Sequence, residues 1–343
     1  MSMRSTAVIV LNWNGKDSLK PCLESLLAQS VQSTIFVVEN GSTDGSLEYL
    51  KKSYPDLRLI VNQTNLGFAG GANCGIREAI RNNFDYVGLF NNDAVADKDW
   101  LKNLVSVLDD RADIGIVTCK LVDANNKYLD STGDTYTVWG LPYPRGRGEL
   151  VSTKYDDNTD IFAATGGASL YRVKMLEKVG LFDEDFFAYY EDVDLSFRAQ
   201  LTGWKVCYTP RAIAYHQIGA TSSKIKGFTT FQTIKNLPWL LVRNVPGGLL
   251  STVWPRFLLA YSLFIGRAVG RGDGLAAFKG LLACLGKMPK KWRQRRFIQS
   301  QKSVGNDYIW SMMTHDLPTN AYNLRKLRTW WWQIRGKNEK NSN

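Results

Sequence analysis

Polar side chains gather at four points in the first hundred residues, each directly after a short apolar run. They read Asn12-Trp13-Asn14, Glu39-Asn40, Asn62 to Asn65 and Asn91-Asn92-Asp93. Amide and carboxylate oxygens can bind a polar ligand or hold a hard divalent cation. Asn and Asp also form ordinary turns, and a turn explains any one of these clusters taken alone. Four clusters together favour a binding site.

A second acidic cluster lies further along the chain, at the start of a predicted helix. It contains Glu191, Asp192 and Asp194. Asp194 precedes Arg198 by four residues and can form an ion pair with it, whereas Asp192 has no such partner on its own helix. A carboxylate without such a partner can accept a proton from a reacting hydroxyl. The alternative is that these acids only complement the positive end of the helix dipole.

The elements that would position these residues follow from the alternation of short apolar runs with helical spacing. Apolar residues from Leu19 to Leu27 recur at i, i+3, i+4, i+7 and i+8, which predicts one face of a helix. Repeated β-α-β order predicts an α/β fold with a mainly parallel sheet covered on both faces. Ligands bind such sheets beyond the carboxyl ends of the strands, so the polar clusters should share one rim. The runs that predict strands are Ala7 to Leu11, Ile35 to Val38, Leu57 to Val61, Tyr86 to Phe90 and Ile114 to Thr118.

Composition and missing motifs exclude several classes of protein. The chain has 343 residues, 44% of them apolar, which is enough for a substantial core. Its five cysteines are scattered and never form Cys-x-x-Cys, so neither a disulfide framework nor a zinc site is predicted. Gly-x-Gly-x-x-Gly and Gly-Lys-Ser/Thr motifs are absent, which argues against dinucleotide oxidoreductases and P-loop NTPases. The N-terminus lacks the pattern of a signal peptide, which predicts a cytoplasmic protein.

Charge divides the chain into two unlike parts. Residues 1 to 220 hold 22 Lys and Arg against 28 Asp and Glu, whereas residues 221 to 343 hold 21 against 4. This asymmetry predicts a catalytic domain followed by a segment that meets an anionic surface, either nucleic acid or lipid headgroups. A nucleic-acid partner is not predicted, because no known binding module is apparent and the polar clusters would stay unexplained.

The basic part also contains two apolar segments, Leu249 to Ile265 and Leu275 to Leu285, which Pro255 and two arginines interrupt. Neither reaches the roughly 20 uninterrupted apolar residues that cross a bilayer, so helices lying in the membrane interface are predicted. The cation-rich stretch Lys287 to Arg296 and the later Trp330-Trp331-Trp332 fit attachment to anionic lipid. The alternative is a helical packing domain with a solvated basic face.

Seven short motifs follow one another along the first 221 residues: Val8 to Gly15, Val37 to Ser46, Asn65 to Gly75, Leu89 to Asp93, Thr165 to Ala168, Tyr190 to Asp194 and His216 to Thr221. In order and spacing they resemble glycosyltransferase family 2, and within it the bacterial rhamnosyltransferase-like branch. The resemblance covers roughly two thirds of the chain. It implies a GT-A nucleotide-diphospho-sugar transferase fold in residues 1 to 222. A helical, basic, membrane-interfacial extension would then occupy residues 223 to 343.

The resemblance implies a divalent cation, Mg²⁺ or Mn²⁺, that neutralises the phosphates of the donor. In the family an Asp-x-Asp motif holds this cation; here Asp93 matches the second aspartate and Asn91 replaces the first. One carboxylate in place of two implies a site that depends more on the substrate's own phosphates. His216 matches the family position that reaches the metal or the diphosphate. Without the resemblance, Asp93 would be explained as a helix cap and His216 as a structural histidine.

The resemblance also assigns the other site residues. Asp192 matches the catalytic base, and Glu191 is implied to assist acceptor binding. Gly166 and Gly167 match the acceptor-side loop, and the excursion of residues 128 to 153 would shape the acceptor site. Residues implied to bind the donor are Asn12, Asn14, Glu39, Asn65, Gly67, Asn73, Asn91, Asn92 and Asp93, with Glu39 in place of the usual aspartate at a base-reading position.

An inverting, metal-dependent transferase is therefore implied. The best match is transfer of rhamnose from dTDP-rhamnose to a lipid-linked glycan in bacterial cell-surface polysaccharide synthesis. The enzyme would be peripheral, at the cytoplasmic face of the inner membrane. The choice of rhamnose rests on the resemblance alone. A UDP-hexose-dependent enzyme of the same fold and an inactive nucleotide-sugar-binding scaffold stay open as alternatives, as does a homodimer.

Overall fold

The computed structural model describes residues 4–157, 159–216 and 225–316. The strands are β1 (Thr6–Asn12), β2 (Thr34–Asn40), β3 (Arg58–Asn62), β4 (Tyr86–Asn91), β5 (Ala94–Ala96), β6 (Ile114–Asp123), β7 (Leu129–Ser131), β8 (Asp134–Tyr136), β9 (Pro142–Pro144), β10 (Ala168–Arg172) and β11 (Lys205–His216). The helices are α1 (Lys16–Leu27), α2 (Ser46–Ser53), α3 (Gly67–Arg81), α4 (Trp100–Asp110), α5 (Val173–Val179), α6 (Glu191–Leu201), α7 (Phe228–Asn244), α8 (Gly247–Gly270), α9 (Gly274–Ser300) and α10 (Asn306–Met312). A short 3₁₀ helix, Glu184–Phe186, precedes α6.

The central sheet has the strand order β3-β2-β1-β4-β10-β6-β11-β5, with β7 added beside β6. β1 pairs in parallel with β2 and β4, β2 with β3, and β6 with β11. β10 enters antiparallel between β4 and β6. The predicted α/β fold with a mainly parallel sheet is therefore confirmed, and all five predicted strands belong to this sheet.

The polar ends of the first four strands lie on one edge of the sheet, as predicted. β1, β2 and β4 are almost continuously buried because helices cover both sheet faces. Parallel pairing in register then brings the last residues of neighbouring strands side by side. Asn12 of β1 pairs with Glu39 of β2, and Asn40 of β2 pairs with Asn62 of β3. On the other side of β1, Leu11 pairs with Asn91 of β4.

Helices α1 and α3 flank this edge. The face that α1 buries consists of Leu19, Cys22, Leu23 and Leu26. Leu27, predicted to belong to the same face, is 55% exposed at the end of the helix. α3 approaches β1 closely because its glycines carry no side chain: a Cβ on Gly71 would clash with Leu11, and one on Gly75 with Ile9. The glycine-rich motif therefore brings the start of α3 close to the strand ends.

The chain between β6 and β10 forms the predicted excursion. β7 pairs antiparallel with β6, and β8 pairs with β9 in a separate small sheet. A backbone bridge joins Asp134 to Ala163, and so connects the excursion to the segment that enters β10. This pairing places residues 129–136 next to the strand ends and the start of α6.

The helices after residue 225 share a hydrophobic core with the first part of the chain. One cluster joins Phe186, Val193 and Phe197 to apolar residues of α7, α8 and α9, Leu237 and Trp239 among them. α7 packs along α9 and also contacts α6. The predicted boundary at residue 222 falls between residues 217 and 224, outside the described residues, as do most of the His216 to Thr221 motif and Trp330 to Trp332.

α8 is a single helix of 24 residues that continues through Pro255. Pro255 therefore does not interrupt the helix, contrary to the prediction of a break at this residue. Among the described helices, α8 is long and apolar enough to span a membrane by length and composition. Pro255 is exposed, so water can bind the carbonyl oxygen that the missing proline N–H leaves free.

Candidate active site

The carboxyl end of β1 holds a buried hydrogen-bond network. Asn12 Nδ2 donates to Glu39 Oε2 at 2.6 Å, and Asn92 Nδ2 donates to Asn12 Oδ1 at 2.7 Å. Glu39 Oε1 accepts the Ser42 N–H at 3.0 Å. Asn12 and Glu39 are 0% and 1% exposed. Three of the predicted donor-binding residues are thus brought together, and their hydrogen bonds fix the shape of the rim.

Asn14 holds the turn after β1 against the turn after β2. Its Oδ1 accepts the Thr43 N–H at 2.8 Å, and its own N–H donates to Ser42 Oγ at 2.9 Å. Asn14 has a φ of 49°, a left-handed conformation that asparagine adopts more readily than most residues. The two turns therefore form one unit at the end of the rim where the nucleotide is predicted to bind.

The glycine-rich segment before α3 is fixed by two asparagines. Asn40 Nδ2 donates to Asn65 Oδ1 at 3.0 Å and to Gly67 O at 3.1 Å, and Asn65 Oδ1 also accepts the Gly67 N–H at 2.8 Å. Gly67 has a φ of 72°, and a Cβ there would clash with the carbonyl oxygen of Phe187. Only glycine fits this position. The predicted donor residues Asn65 and Gly67 thus lie beside the end of β2.

Asn73, also predicted to bind the donor, has its side chain committed elsewhere. Its Nδ2 donates to Phe182 O at 2.9 Å and to Glu184 Oε1 at 3.0 Å, and its Oδ1 accepts the Phe182 N–H at 3.1 Å. The residue is 1% exposed. This placement does not support donor contact, because Asn73 lies inside α3 and joins that helix to the segment before α6.

His216 lies between two carboxylates. Its Nδ1 is 2.8 Å from Asp130 Oδ2, and its Nε2 is 3.0 Å from Asp93 Oδ1. Asn91 Nδ2 approaches the same Nε2 at 3.5 Å. Burial alone would lower the pKa of His216, but the hydrogen bonds to Asp130 and Asp93 outweigh it and raise the pKa to about 9. The two predicted metal ligands, Asp93 and His216, thus face each other directly.

Asp130 is a site residue that the motifs did not predict. It is 1% exposed, and Arg147 Nη2 lies 2.8 Å from its Oδ1. Burial would raise the pKa of Asp130, but the hydrogen bond from His216 and the charge of Arg147 hold it below the ordinary aspartate value. An anionic Asp130 keeps a proton on His216 Nδ1 and so directs Nε2 towards Asp93. The only feature of the sequence that pointed to Asp130 was its position in the excursion of residues 128 to 153.

The structure excludes a capping role for Asp93. α4 begins at Trp100, and the carboxylate near its start is Asp97, whose Oδ1 accepts the Asp99 N–H at 3.2 Å. Asp93 instead faces His216. Its side chain therefore belongs to the rim.

Asp192 is anchored by backbone N–H groups from two elements. Its Oδ2 accepts the Gly166 N–H and its Oδ1 accepts the Val193 N–H, both at 2.8 Å. The residue is partly exposed. Burial raises the pKa of Asp192 above the ordinary aspartate value. Asp194, by contrast, is fully buried and pairs with Arg198 at 2.9 Å, as predicted.

Gly166 and Gly167 connect Asp192 to the strand end that carries Asp93. The Gly166 N–H donates to Asp192, and Gly167 O accepts the Asn91 N–H at 2.8 Å. A Cβ on Gly166 would lie 2.9 Å from the Phe68 ring, so the glycine also permits close packing. Two adjacent residues thus join both halves of the site.

Glu191 is 5% exposed, and its Oε2 has neither solvent contact nor a hydrogen-bond partner. Burial raises the pKa of Glu191 well above its ordinary value, and the neighbouring charge of Asp192 raises it further. The predicted role in acceptor binding is not supported by this placement, because a buried side chain offers almost no surface to an acceptor. Burial favours the protonated form of this side chain next to Asp192.

Asp134 adds a third carboxyl group that the sequence motifs did not reveal. It is 8% exposed, and its backbone pairs with Ala163, three residues before Gly166. Burial raises the pKa of Asp134 to about 8, and the charge of Asp192 contributes to the rise. The raised pKa favours the protonated form of Asp134.

The fold is that of the GT-A glycosyltransferases. S. aureus TarS 1-349 in complex with UDP-GlcNAc aligns with a TM-score of 0.54 at 16% identity, over 86% of this chain and 90% of that one. The mannosyltransferase PcManGT from Pyrobaculum calidifontis, in complex with GDP-Man and Mn²⁺, aligns with a TM-score of 0.52 at 16% identity, over 88% and 85%. At these identities the likeness shows the fold alone.

The chain belongs to the family described as glycosyltransferase like family 2, whose model matches residues 4–236. A similar curated protein is N-acetylglucosaminyl-diphospho-decaprenol L-rhamnosyltransferase of Mycobacterium tuberculosis. It is 27% identical over 232 residues, which cover 61% of this chain and 75% of that protein. The predicted family, fold and glycosyltransferase activity are confirmed. The family match also includes the first half of α7.

Proposed function

We propose that this glycosyltransferase moves a sugar, with inversion, from a nucleotide diphosphate to a hydroxyl group of a lipid-linked glycan. The observation that carries the proposal is the link through Gly166 and Gly167, which holds the partly exposed Asp192 beside the strand end of Asp93. The base and the diphosphate-binding edge must be close, because the attacking hydroxyl and the leaving phosphate share one anomeric carbon in the transition state.

The reaction is a single displacement at that carbon. The acceptor oxygen forms its bond to the anomeric carbon while the bond to the phosphate oxygen breaks, and the nucleoside diphosphate leaves with the electron pair. Asp192 takes the hydroxyl proton. The N–H groups of Gly166 and Val193 hold its carboxylate in place. Attack opposite the leaving group inverts the configuration.

Asp93 and His216 fit a divalent cation, Mg²⁺ or Mn²⁺, shared with the diphosphate. His216 would lose its Nε2 proton when it binds the cation. One carboxylate oxygen and one imidazole nitrogen are only part of a coordination sphere. Within residues 4–157, 159–216 and 225–316, no group of three or more His, Cys, Asp or Glu side chains could hold a metal ion. Phosphate oxygens and water would supply the remaining ligands, as is usual for Mg²⁺. When bound, the cation would neutralise charge that develops on the leaving diphosphate.

We expect Asp130→Asn to lower metal-dependent turnover by about 10- to 100-fold. An amide does not hold the proton on His216 Nδ1 as a carboxylate does, so the ring loses its fixed orientation and some basicity. Turnover measured against Mn²⁺ concentration should show a higher half-saturating concentration. Arg147→Gln, which leaves Asp130 in place, should have a smaller effect. Unchanged metal dependence in Asp130→Asn would contradict a ligand role for His216.

For the donor we propose dTDP-rhamnose, a choice supported by the resemblance to the rhamnosyltransferase of M. tuberculosis. A UDP-hexose is the alternative. Nucleoside diphosphate release from a panel of nucleotide sugars, with and without metal and a lipid-linked acceptor, tests both. Turnover of a UDP-hexose alone would replace the donor. If no donor is bound or turned over, the protein is better explained as an inactive scaffold. The observation that favours a scaffold is Asn91, which stands where the family has an aspartate.

We propose further that α8 and α9 attach the enzyme to an anionic membrane surface at the cytoplasmic face of the inner membrane. These helices expose large apolar side chains, an arrangement that soluble surfaces rarely show over a wide area. Between residues 247 and 300 the sequence has many cations and a single acid, Asp273. Apolar side chains beside cations suit an interface with anionic lipid. The exposed apolar residues include Leu258, Leu259, Leu263, Leu275, Phe278 and Leu282.

Part of the basic stretch 287–296 is not available to lipid. Lys291 is 0% exposed and pairs with Asp183 and Asp185 at 2.7 Å. Arg295 is 8% exposed and donates to two backbone carbonyl oxygens at the end of α7. Attraction to lipid therefore depends on the exposed cations of α8 and α9, such as Lys279.

We expect the double variant Phe278→Glu, Leu282→Glu to bind anionic vesicles at least about tenfold more weakly than the wild type. Both residues are more than half exposed and lie one turn apart on α9, so the change removes apolar surface without entering the core. Co-sedimentation with phosphatidylglycerol vesicles measures the effect. Leu150→Glu, at an exposed leucine far along the chain from α9, is the matched control.

Equal vesicle binding by the double variant and the wild type would show that this face of α9 does not meet lipid. If the wild type binds no vesicles but forms dimers that the double variant dissociates, the exposed face is instead a homodimer interface.

A further inference from the structure

The segment that leads into α6 has an unusual backbone. Phe187, Tyr189 and Tyr190 have φ values of 66°, 70° and 71°. A residue with a side chain adopts this left-handed conformation only where its surroundings hold it. Three such residues within four positions, directly before Glu191, therefore require support from outside the segment.

Much of this support comes from α7. Asn236 Nδ2 lies 3.0 Å from Phe186 O, 2.9 Å from Ala188 O and 2.9 Å from Tyr189 O. Lys235 Nζ adds a hydrogen bond of 3.2 Å to Phe186 O. Asn236 is 0% exposed, so water cannot easily take the place of its amide. One side chain thus satisfies the carbonyl groups that the left-handed conformation turns towards α7.

Ion pairs hold the beginning of the same segment. Arg243 of α7 pairs with Asp183 at 2.6 Å. Lys291 of α9 pairs with Asp183 and Asp185. The side chains of Asp183, Arg243 and Lys291 are all at least nine-tenths buried. The ion pairs fix residues 183–185, and Asn236 fixes the left-handed residues that follow.

The segment also contacts the donor side of the site. Phe187 O accepts the Ala69 N–H at 3.2 Å, and Gly67 packs directly against it. Asp192 follows Tyr190 by two residues. A displacement of the segment would therefore disturb the start of α3 and the start of α6 together.

We propose that Asn236 is a positioning residue that holds segment 186–190 so that Asp192 is aimed at the acceptor hydroxyl. The inference rests on the proposed role of Asp192 as the base. It makes α7 part of the active site, and not only the link to the membrane-facing helices.

Asn236→Ala tests the proposal. We expect kcat to fall about 10- to 100-fold, because small misplacement of a catalytic group is costly, and KM for the donor to rise by a smaller factor, because the segment also contacts the start of α3. The acid limb of the kcat profile should move to higher pH, since the Gly166 N–H that stabilises the Asp192 carboxylate would be less well placed. Hydrogen exchange at residues 186–193 and at Ala69 should become faster.

Gln299→Ala is the matched control. Gln299 Nε2 also donates to two backbone carbonyl oxygens of α7, those of Arg243 and Asn244, but it does not contact segment 186–190. Its loss should leave kcat within about twofold and hydrogen exchange at 186–193 unchanged. If Asn236→Ala does not fold, Lys235→Met removes a smaller part of the support and serves for the same measurements.

Hydrogen exchange separates this inference from the proposed function. Faster exchange with a lower kcat supports it. If Asn236→Ala exchanges faster but the wild type turns over no donor, Asn236 does hold segment 186–190 and the proposed function is wrong. Unchanged exchange, or a change in KM with kcat preserved, would overturn the proposal.

Discussion

Replacing Asp192 by asparagine is expected to lower kcat for sugar transfer by about 10²- to 10⁴-fold and to change donor binding little. The amide has the size of the carboxylate but cannot accept the proton of the acceptor hydroxyl. Release of nucleoside diphosphate in the presence of acceptor measures the first quantity, and calorimetric titration of the nucleoside diphosphate measures the second. Loss of binding together with turnover would indicate damage to the fold instead.

Glu191→Gln is the comparison that identifies the base. Glu191 is buried, and burial raises its pKa well above the ordinary value, which favours the protonated form that glutamine resembles. We expect this variant to keep its kcat within about tenfold of the wild type. A greater loss in Glu191→Gln than in Asp192→Asn would reverse the assignment of the two carboxyl groups.

The same assignment fixes the direction of the pH dependence. The base must be ionised, and burial raises the pKa of Asp192 above the ordinary aspartate range. Activity should therefore be lost as the pH falls through this raised pKa and retained above it. A kcat profile that stays flat down to the ordinary aspartate pKa would contradict Asp192 as the base.

The parallel part of the sheet and the position of the site could be predicted from the sequence for a simple physical reason. Strands buried on both faces need continuous apolar runs, and the polar residues that follow them must lie at one edge. Asn12, Glu39 and Asn92 form their network there. The local pattern was sufficient because parallel strands end at the same edge of a sheet, whatever their order across it.

The rest of the site depends on contacts that local patterns do not encode. Asp130 and Asp134 lie on three-residue strands, and the groups that place them in the site are far along the chain: His216 for Asp130 and Ala163 for Asp134. Asn73 and Glu191 belong to recognisable motifs, yet a motif does not state which way each side chain turns. In the folded chain both turn inwards, towards the segment before α6 and the core around it. Sequence reasoning therefore predicted the edge of the sheet where these residues gather, but not Asp130 and Asp134 or the inward direction of Asn73 and Glu191.

The basic C-terminal part of the chain also has contacts that its composition did not predict. Its composition predicted a surface for anionic partners, but Lys291 and Arg243 are buried and form ion pairs with Asp183. A buried charge needs a partner, and here the partners come from the acidic first part of the chain. The charge asymmetry along the sequence thus serves the packing of α7 and α9 as well as any external surface.

Replacing Asp93 by alanine is expected to lower kcat/KM by at least about 10²-fold, since a cation at a leaving diphosphate contributes several kcal/mol to transition-state stabilisation. In this variant His216 and the phosphates would hold the cation without the carboxylate, and so more weakly. The loss of activity should therefore be largest at low metal concentration. Turnover measured over a series of Mg²⁺ and Mn²⁺ concentrations checks this.

Asp97→Ala is the matched control for Asp93→Ala. Asp97 lies four residues further along the same segment, and its carboxylate accepts the Asp99 N–H near the start of α4. Its loss should affect stability by roughly the 0.5–1.5 kcal/mol of one hydrogen bond and leave metal dependence unchanged. Equal metal dependence in Asp93→Ala and the wild type would mean that the cation, if one binds, is not held at this rim. Asp93 and His216 would then be a structural pair, and Asp192 would act without the electrostatic help that the proposal assigns to them.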